Sequence, residues 1–435
     1  SEEPYTLPAF RDHPSRLFVE TTSRCNLNCV MCPKQNRSGI STDGDLDLGT
    51  FEALKEAFSR LDALVLNGIG EPLLNPHLEK FISRARKLMP SQGWIGFQSN
   101  GLLLNNLRAI SLVDAGLDSI CLSMDGASPA TFSAIRAGGQ LLDLECALSA
   151  ITAAKSMCVR PDLQIEVEYV VMRDNLEELP AALQWAAARG ADFAIVSQLH
   201  PYDEQHLGQC AYDTCTDEAL SLFHVWNAKA QLAGVEMQRY FGLLWKYRKS
   251  PEEQRILNFV DSMRAEAQYR GISLDLKRLF AMDYSRIEAV DAAFERTREV
   301  ARQTGLDLRL PEIVPQGRRS CSFIEQGGAF ISWDGSMHPC YQLWHACHSY
   351  ANGWQHPVQP RVFGNVVERG VLDIWNSPGF RSYRNNVLKH DYPSCAGCSY
   401  SPCDYVSDVF EQDCYVNTEP CGSCLWNSGV FRCLD

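Results

Sequence analysis

From about residue 15 to residue 200, short β-rich runs alternate with amphipathic helical stretches, and this alternation restricts the chain to one broad architecture. The strand candidates are Leu17 to Thr21, Ala63 to Asn67, Trp94 to Ser99, Ser119 to Ser123, Ile165 to Val171 and Phe193 to Ser197. Between them apolar residues fall at helical spacing, as in Phe51, Leu54, Phe58 and Leu61, or Leu176, Leu179, Leu183 and Ala186. Six strand-then-helix units imply an α/β fold with a parallel sheet, its functional loops gathered at the carboxyl ends of the strands.

The bulk numbers exclude several partner classes. At 435 residues and 45% hydrophobic, the chain can bury a sizeable core divided among two or three domains. No apolar run approaches the roughly 18 to 20 residues that cross a bilayer, and no charged-apolar leader pattern opens the sequence. The expectation is a cytoplasmic protein with no membrane partner. A formal charge of −13 argues against nucleic acid, because phosphate binding draws most of its affinity from clustered Lys and Arg.

Residues 201–314 change character. Helical runs such as Glu218 to Leu232, Pro251 to Arg270 and Arg286 to Gln303 dominate, and the segment reads as a mainly helical insertion or bridge.

Eighteen cysteines in a chain of this kind fit metal ligation better than a disulfide scaffold, since cytosolic thiols are kept reduced. Ten of them lie between Cys321 and Cys433. Cys121, Cys146 and Cys158 are scattered and read as buried small apolar residues. At the other end, Cys25, Cys29 and Cys32 stand in the spacing CxxxCxxC directly after the first strand candidate. Three thiolates on one tight loop suit three irons of a four-iron four-sulfur cluster and leave the fourth iron unligated by protein.

The segment Thr21-Thr-Ser-Arg-Cys25-Asn-Leu-Asn-Cys29-Val-Met-Cys32-Pro resembles the signature of the radical S-adenosylmethionine (SAM) superfamily. The resemblance implies a partial (β/α)6 barrel over residues 1–200. It also implies that the three cysteines hold a cluster whose open iron is chelated by SAM. Further elements follow in the superfamily's order. Asn67-Gly-Ile-Gly-Glu71-Pro resembles the element that binds the SAM amino group, with Ile69 in place of its first Gly; Gly70 and Glu71 carry that expectation. Ser99 and Asn100 close the third strand, and Ser123 and Asp125 after the fourth resemble the polar pair near the ribose. Arg173 and Asn175 are expected to meet the SAM carboxylate, and Val196 to Leu199 to flank adenine.

The second cysteine field opens as Cys321-x13-Gly-x4-Cys340 and continues with Cys395, Cys398, Cys403, Cys414, Cys421, Cys424 and Cys433. With Phe363-Gly-Asn-Val366 and Leu372-Asp-Ile-Trp375 between its halves, it resembles the SPASM extension of radical SAM enzymes. That resemblance implies a small auxiliary iron-sulfur domain over residues 315–435 and two auxiliary clusters, three 4Fe-4S clusters in all. Two full clusters take eight thiolates, four each, and nine are present. By family analogy Cys321 and Cys340 belong to the inner cluster and Cys395, Cys398 and Cys403 to the outer one. The last four remain unapportioned. Cys347 lies among His345, His348 and Tyr350 with no role assigned. The tail from Asp413 to Cys433 resembles that of SPASM maturases of tungsten-type oxidoreductases.

The implied activity is reductive cleavage of SAM to a 5′-deoxyadenosyl radical, fed by reduced ferredoxin or flavodoxin, with hydrogen abstraction from a peptide or protein substrate. Two alternatives stand beside it: an oxidoreductase, epimerase or lyase acting on a small molecule such as a sugar or alcohol, and a non-catalytic metallocofactor assembly protein. Asp125, Tyr169, His200 and Tyr202 lie near strand ends, but no general acid or base is assigned.

Overall fold

The computed structural model describes residues 7–36, 43–400 and 402–432. The six expected strands form as β1 (Arg16–Val19), β2 (Ala63–Val65), β3 (Trp94–Ser99), β4 (Ser119–Ser123), β5 (Gln164–Val171) and β6 (Phe193–Gln198), each pairing in parallel with the next. Their buried runs explain why they are strands. Leu17, Leu64, Ile95, Phe97, Ile120, Leu122, Val167 and Ala194 are fully enclosed, as expected for strands covered by helices on the sheet's outer face. Each Leu, Ile or Phe so buried contributes roughly 1.5–3 kcal/mol before entropy is counted.

Two parallel strands extend the sheet beyond the six. At one edge β7 (Asp307–Arg309) follows β6, and at the other β8 (Gly328–Ile331) pairs in parallel with β1, Leu17 opposite Ala329. The strand β9 (Ser336–His338) turns back antiparallel on β8, and β12 (Gly364–Asn365) adds to β9. A separate antiparallel pair joins β10 (Cys347–Ser349) to β11 (His356–Val358). The C-terminal cysteine region is therefore continuous with the main sheet. Side chains from β1, β3, β4, β5, β6 and β8 line one cavity, so the sheet curls around it as a partial barrel.

Between β6 and β7 the helices Asp217–Ala233, Pro251–Arg270 and Leu276–Ala281 enclose their own small core of Phe223, Val260, Met263 and Leu279. The next helix, Tyr284–Thr304, belongs elsewhere. Its Val290, Ala293 and Phe294 join the main core, and it packs on the helix Leu179–Ala187 as an outer-layer crossover into β7. The helices Val371–Trp375 and Pro378–Val387 likewise return to the N-terminal region: Trp375 Nε1 donates to Arg11 O at 2.9 Å and Arg384 Nε to Ala9 O at 2.9 Å. No helix among the described residues is long and apolar enough to cross a membrane.

Of the scattered cysteines, Cys121 is buried in β4 as expected. Cys146 is exposed and Cys158 half-buried, because each falls on the outward side of an outer-layer helix or at its end.

Candidate active site

The loop after β1 carries Cys25, Cys29 and Cys32 to the strand ends. All three line a cavity of about 310 Å³ with Gly70, Glu71, Ser99, Asn100, Ser123 and Leu199 from the following strands. The backbone explains the motif after β2. A Cβ on Gly70 would stand 2.3 Å from Thr22 O and 2.4 Å from Arg24 O, so only glycine lets this loop lie against the cysteine loop. Glu71 N then donates to Arg24 O at 2.7 Å. Ile69 is tolerated where the family has glycine: its N–H donates to Glu20 Oε1 at 3.0 Å and its side chain faces the cavity.

Glu71 is buried, and its carboxylate accepts from Ser99 Oγ at 2.7 Å, Asn100 N at 2.8 Å and Leu73 N at 3.1 Å. A carboxylate offers about four acceptor positions, so one remains for a ligand. Its first job is to lock β2 and β3 ends together. Asn100 Nδ2 also donates to Asn26 Oδ1 at 2.8 Å, inside the cysteine loop.

Several expected contacts lie elsewhere. Asp125 is enclosed beneath the cavity, where it pairs with the Arg136 guanidinium and accepts from Val170 N at 2.8 Å. Asn175 is buried as a brace, donating to Asp125 O at 3.1 Å and Val170 O at 2.9 Å. Arg173 is exposed and turns to Cys210 O at 3.0 Å, away from the cavity. Val196 is enclosed within β6, and its neighbours Ser197, Gln198 and Leu199 take the lining positions. Two arginines line the cavity, Arg136 and Arg432, and Arg136 lies beside the cysteine loop, its Nη1 3.7 Å from Cys29 Sγ. Sequence reasoning missed it because it sits at the end of a short helix, Pro129–Ile135, with no motif around it. Breaking the Asp125–Arg136 pair strands a buried charge. Arg136→Leu is expected to cost about 3–5 kcal/mol of stability in the apoprotein, measured as denaturant midpoint at unchanged m-value.

Glu168 was also missed. It stands opposite Ser123 in the β4–β5 register and shares the Gln98 amide with it, Gln98 Nε2 lying 3.4 Å from Ser123 Oγ and also donating to Glu168. Burial pushes its carboxyl from the ordinary 4.5 up to about 7, against the opposing pull of Arg136. Between those values the native state keeps a proton that the unfolded chain has lost. Stability should therefore fall as pH rises from about 4.5 to about 7 and level off above. The Glu168→Gln difference curve, from thermal melts of the apoprotein across that range, should show a gain of order 3 kcal/mol at the upper end.

Above this polar floor the walls are aromatic. His200, Tyr202, Tyr341, Trp344, Trp426 and Phe431 line the cavity, with ring centroids 4.3 Å apart for His200–Tyr202 and 5.5 Å for Tyr341–Trp426. Burial pushes His200 down to about 3, so it is neutral; Nε2 meets Ser349 Oγ at 3.0 Å and Nδ1 has no hydrogen-bond partner among the described residues. The C-terminal tail closes this side, Arg432 N donating to Ser197 Oγ at 3.0 Å. A second tie runs through Glu20 at the end of β1. It accepts from Ile69 N and from His345 Nε2, both at 3.0 Å, and so joins the cysteine-loop side to the C-terminal region.

The remaining thiols sort into two sets of four. Cys321, Cys340, Cys421 and Cys424 face one another around a cavity of about 40 Å³. Cys395, Cys398, Cys403 and Cys414 form the other set, with Cys414 exposed. The ninth, Cys433, lies outside the described residues. Cys347 is buried in β10 and belongs to neither set. Among the described residues no group of three or more His, Cys, Asp or Glu side chains makes a site for a single metal ion. Polynuclear clusters need a different spacing, because each thiolate takes its own iron and the sulfurs stand further apart. The donor sets of three, four and four soft thiols suit four-iron clusters in this way.

Two family models match separate parts of the chain: the radical SAM superfamily over residues 19–186 and the SPASM iron-sulfur cluster-binding domain over residues 321–399. The chain is a radical SAM enzyme with a SPASM domain. Its iron-sulfur and SAM chemistry follow from that membership. A tungsten-containing aldehyde ferredoxin oxidoreductase cofactor-modifying protein of Pyrococcus furiosus is 26% identical over 96% of both chains. An AdoMet-dependent heme synthase of Methanosarcina barkeri is 24% identical over 95% of this chain and 99% of its own. In structure, SuiB of Streptococcus suis superposes with a TM-score of 0.50 at 12% identity, covering 89% of this chain and 71% of that one, which shows a shared fold.

Proposed function

We propose that this radical SAM enzyme abstracts hydrogen from a peptide or protein group during maturation of a metalloenzyme, using three four-iron clusters. Cys25, Cys29 and Cys32 hold the first, and the two four-thiol sets hold the others. When bound, the first cluster and SAM supply reductive carbon-sulfur cleavage to a 5′-deoxyadenosyl radical. The chain's own residues supply the rest. Glu71, Ser99 and Asn100 brace the strand ends, Arg136 offers a cation for the SAM carboxylate beside Cys29, and Ser123 with Gln98 and Glu168 presents polar groups to a ribose. The aromatic wall excludes water from the reactive centre, and His200 Nδ1 offers a neutral hydrogen-bonding atom to the substrate.

One observation carries this reading above all: the cysteine loop and its polar neighbours share one cavity with an aromatic wall to which the C-terminal region contributes Tyr341, Trp344, Trp426 and Phe431. Tyr341 and Trp426, which line that cavity, follow Cys340 and Cys424 of the inner thiol set by one and two residues. A cluster held by the inner thiol set would supply an electron acceptor adjoining these two residues in sequence.

A second reading has its own support. Both full-length relatives are named for cofactor chemistry, so the substrate is an organic cofactor in that case. The two readings separate in one assay. Reconstituted enzyme with SAM and dithionite is given, in turn, the peptide fraction and the small-molecule fraction of a cell extract. Stimulation of 5′-deoxyadenosine by the peptide fraction alone supports the first; stimulation by the small-molecule fraction alone replaces it with the second.

A further inference from the structure

The inner thiol cavity has a lining that ligation does not account for. Tyr392 is buried there, its phenol oxygen beside the Cys421 thiol and without a nitrogen or oxygen partner among the described residues. A buried O–H with no acceptor is costly unless a ligand provides one. Tyr383, also buried, lies beside Cys340 and Cys421. Arg319 completes the group. Its Nη1 donates to Pro393 O at 3.0 Å and its Nη2 to Tyr392 O, which holds the guanidinium near Cys421, Cys424 and Cys395.

We propose that Tyr392 and Tyr383 form a hydrogen-bonding shell that raises the reduction potential of the inner cluster, with Arg319 as a cation shared by both auxiliary clusters. Reduction adds one electron and no proton, so negative charge grows on the sulfurs. Enclosure by protein opposes that growth, whereas donors and a fixed positive charge offset it. The outer set has a different environment: Cys414 is exposed, and the Asp413 carboxylate acts on Cys395 and Cys414. The two phenols therefore act on one cluster, and the arginine on both. This inference rests on the assignment of one four-iron cluster to each four-thiol set.

The test is an EPR-monitored potentiometric titration of the reconstituted full-length protein, with Cys340→Ala identifying the inner signal by its loss. Tyr392→Phe is expected to lower the inner midpoint by the equivalent of about tenfold in the reduced-to-oxidised ratio, ~59 mV for one electron, and to leave the outer midpoint in place. Tyr383→Phe should shift it in the same direction, and Arg319→Gln should lower both midpoints. An inner midpoint that stays put in both Phe variants overturns the proposal, as does an outer shift as large as the inner one. If Tyr392→Phe does not retain iron, Tyr383→Phe decides the matter on the same signal. A wild type that binds fewer than about eight irons beyond the first cluster, at four per cluster, fails differently: it removes the cluster assignment itself, before any potential is read.

Discussion

Replacing Cys25, Cys29 and Cys32 together by Ala is expected to abolish 5′-deoxyadenosine formation while lowering bound iron from about twelve to about eight per chain, at four irons per cluster. The eight remaining irons are the informative part. The three cysteines share a loop that hydrogen-bonds to the β2 and β3 ends through Glu71 N and Asn100 Nδ2, whereas the two four-thiol sets are built from residues 321–424. No thiol is common to the two regions. Loss of all iron in the triple variant would mean that the C-terminal sets do not assemble independently. Retained SAM cleavage would mean that the cysteine loop is not the reducing site.

The second large effect is expected at the inner thiol set. Cys340→Ala should remove about four irons and stop product formation, yet leave SAM cleavage without substrate within about threefold of wild type, since Cys340 lines a different cavity from Cys25, Cys29 and Cys32. Cys414→Ala should also lose about four irons. The two variants are predicted to lose different EPR signals, and the Cys340 and Cys421 variants the same one. A shared signal between the Cys340 and Cys414 variants would break the division into two sets.

Much of the barrel was legible because each strand carries a short run of buried apolar residues. Trp94–Ser99 and Ser119–Ser123 coincide with the expected runs, and the other four differ by a few residues at their ends. The strand β8 was not legible: Gly328–Ile331 pairs with β1 across more than 300 residues of sequence, and four residues give no helical or alternating pattern to mark them. The cysteine loop announced itself through local spacing. The sorting of Cys414, Cys421 and Cys424 did not, because it depends on how the tail folds back over Cys321 and Cys340. Glu168 did leave a signal. In β5, Ile165, Val167, Tyr169 and Val171 are enclosed on one face, which places Glu166 and Glu168 together on the other; a carboxylate facing the interior of a curled sheet marks a polar site. Arg173 misled for the opposite reason. It follows the strand end in sequence, but Cys210 O and Gln209 O bind the loop outward, and Arg136 from another loop takes the place beside the cysteines. Glu20, a lone acid before the cysteine motif, gained meaning only when His345 was found against it.

The most direct test of the account is anaerobic incubation of the reconstituted wild-type protein with SAM and dithionite, followed by quantitation of 5′-deoxyadenosine and methionine. The account predicts both products in equal amounts, at a level that the Cys25, Cys29, Cys32 triple variant does not reach. SAM bound and iron at about twelve per chain with no 5′-deoxyadenosine formed would contradict it.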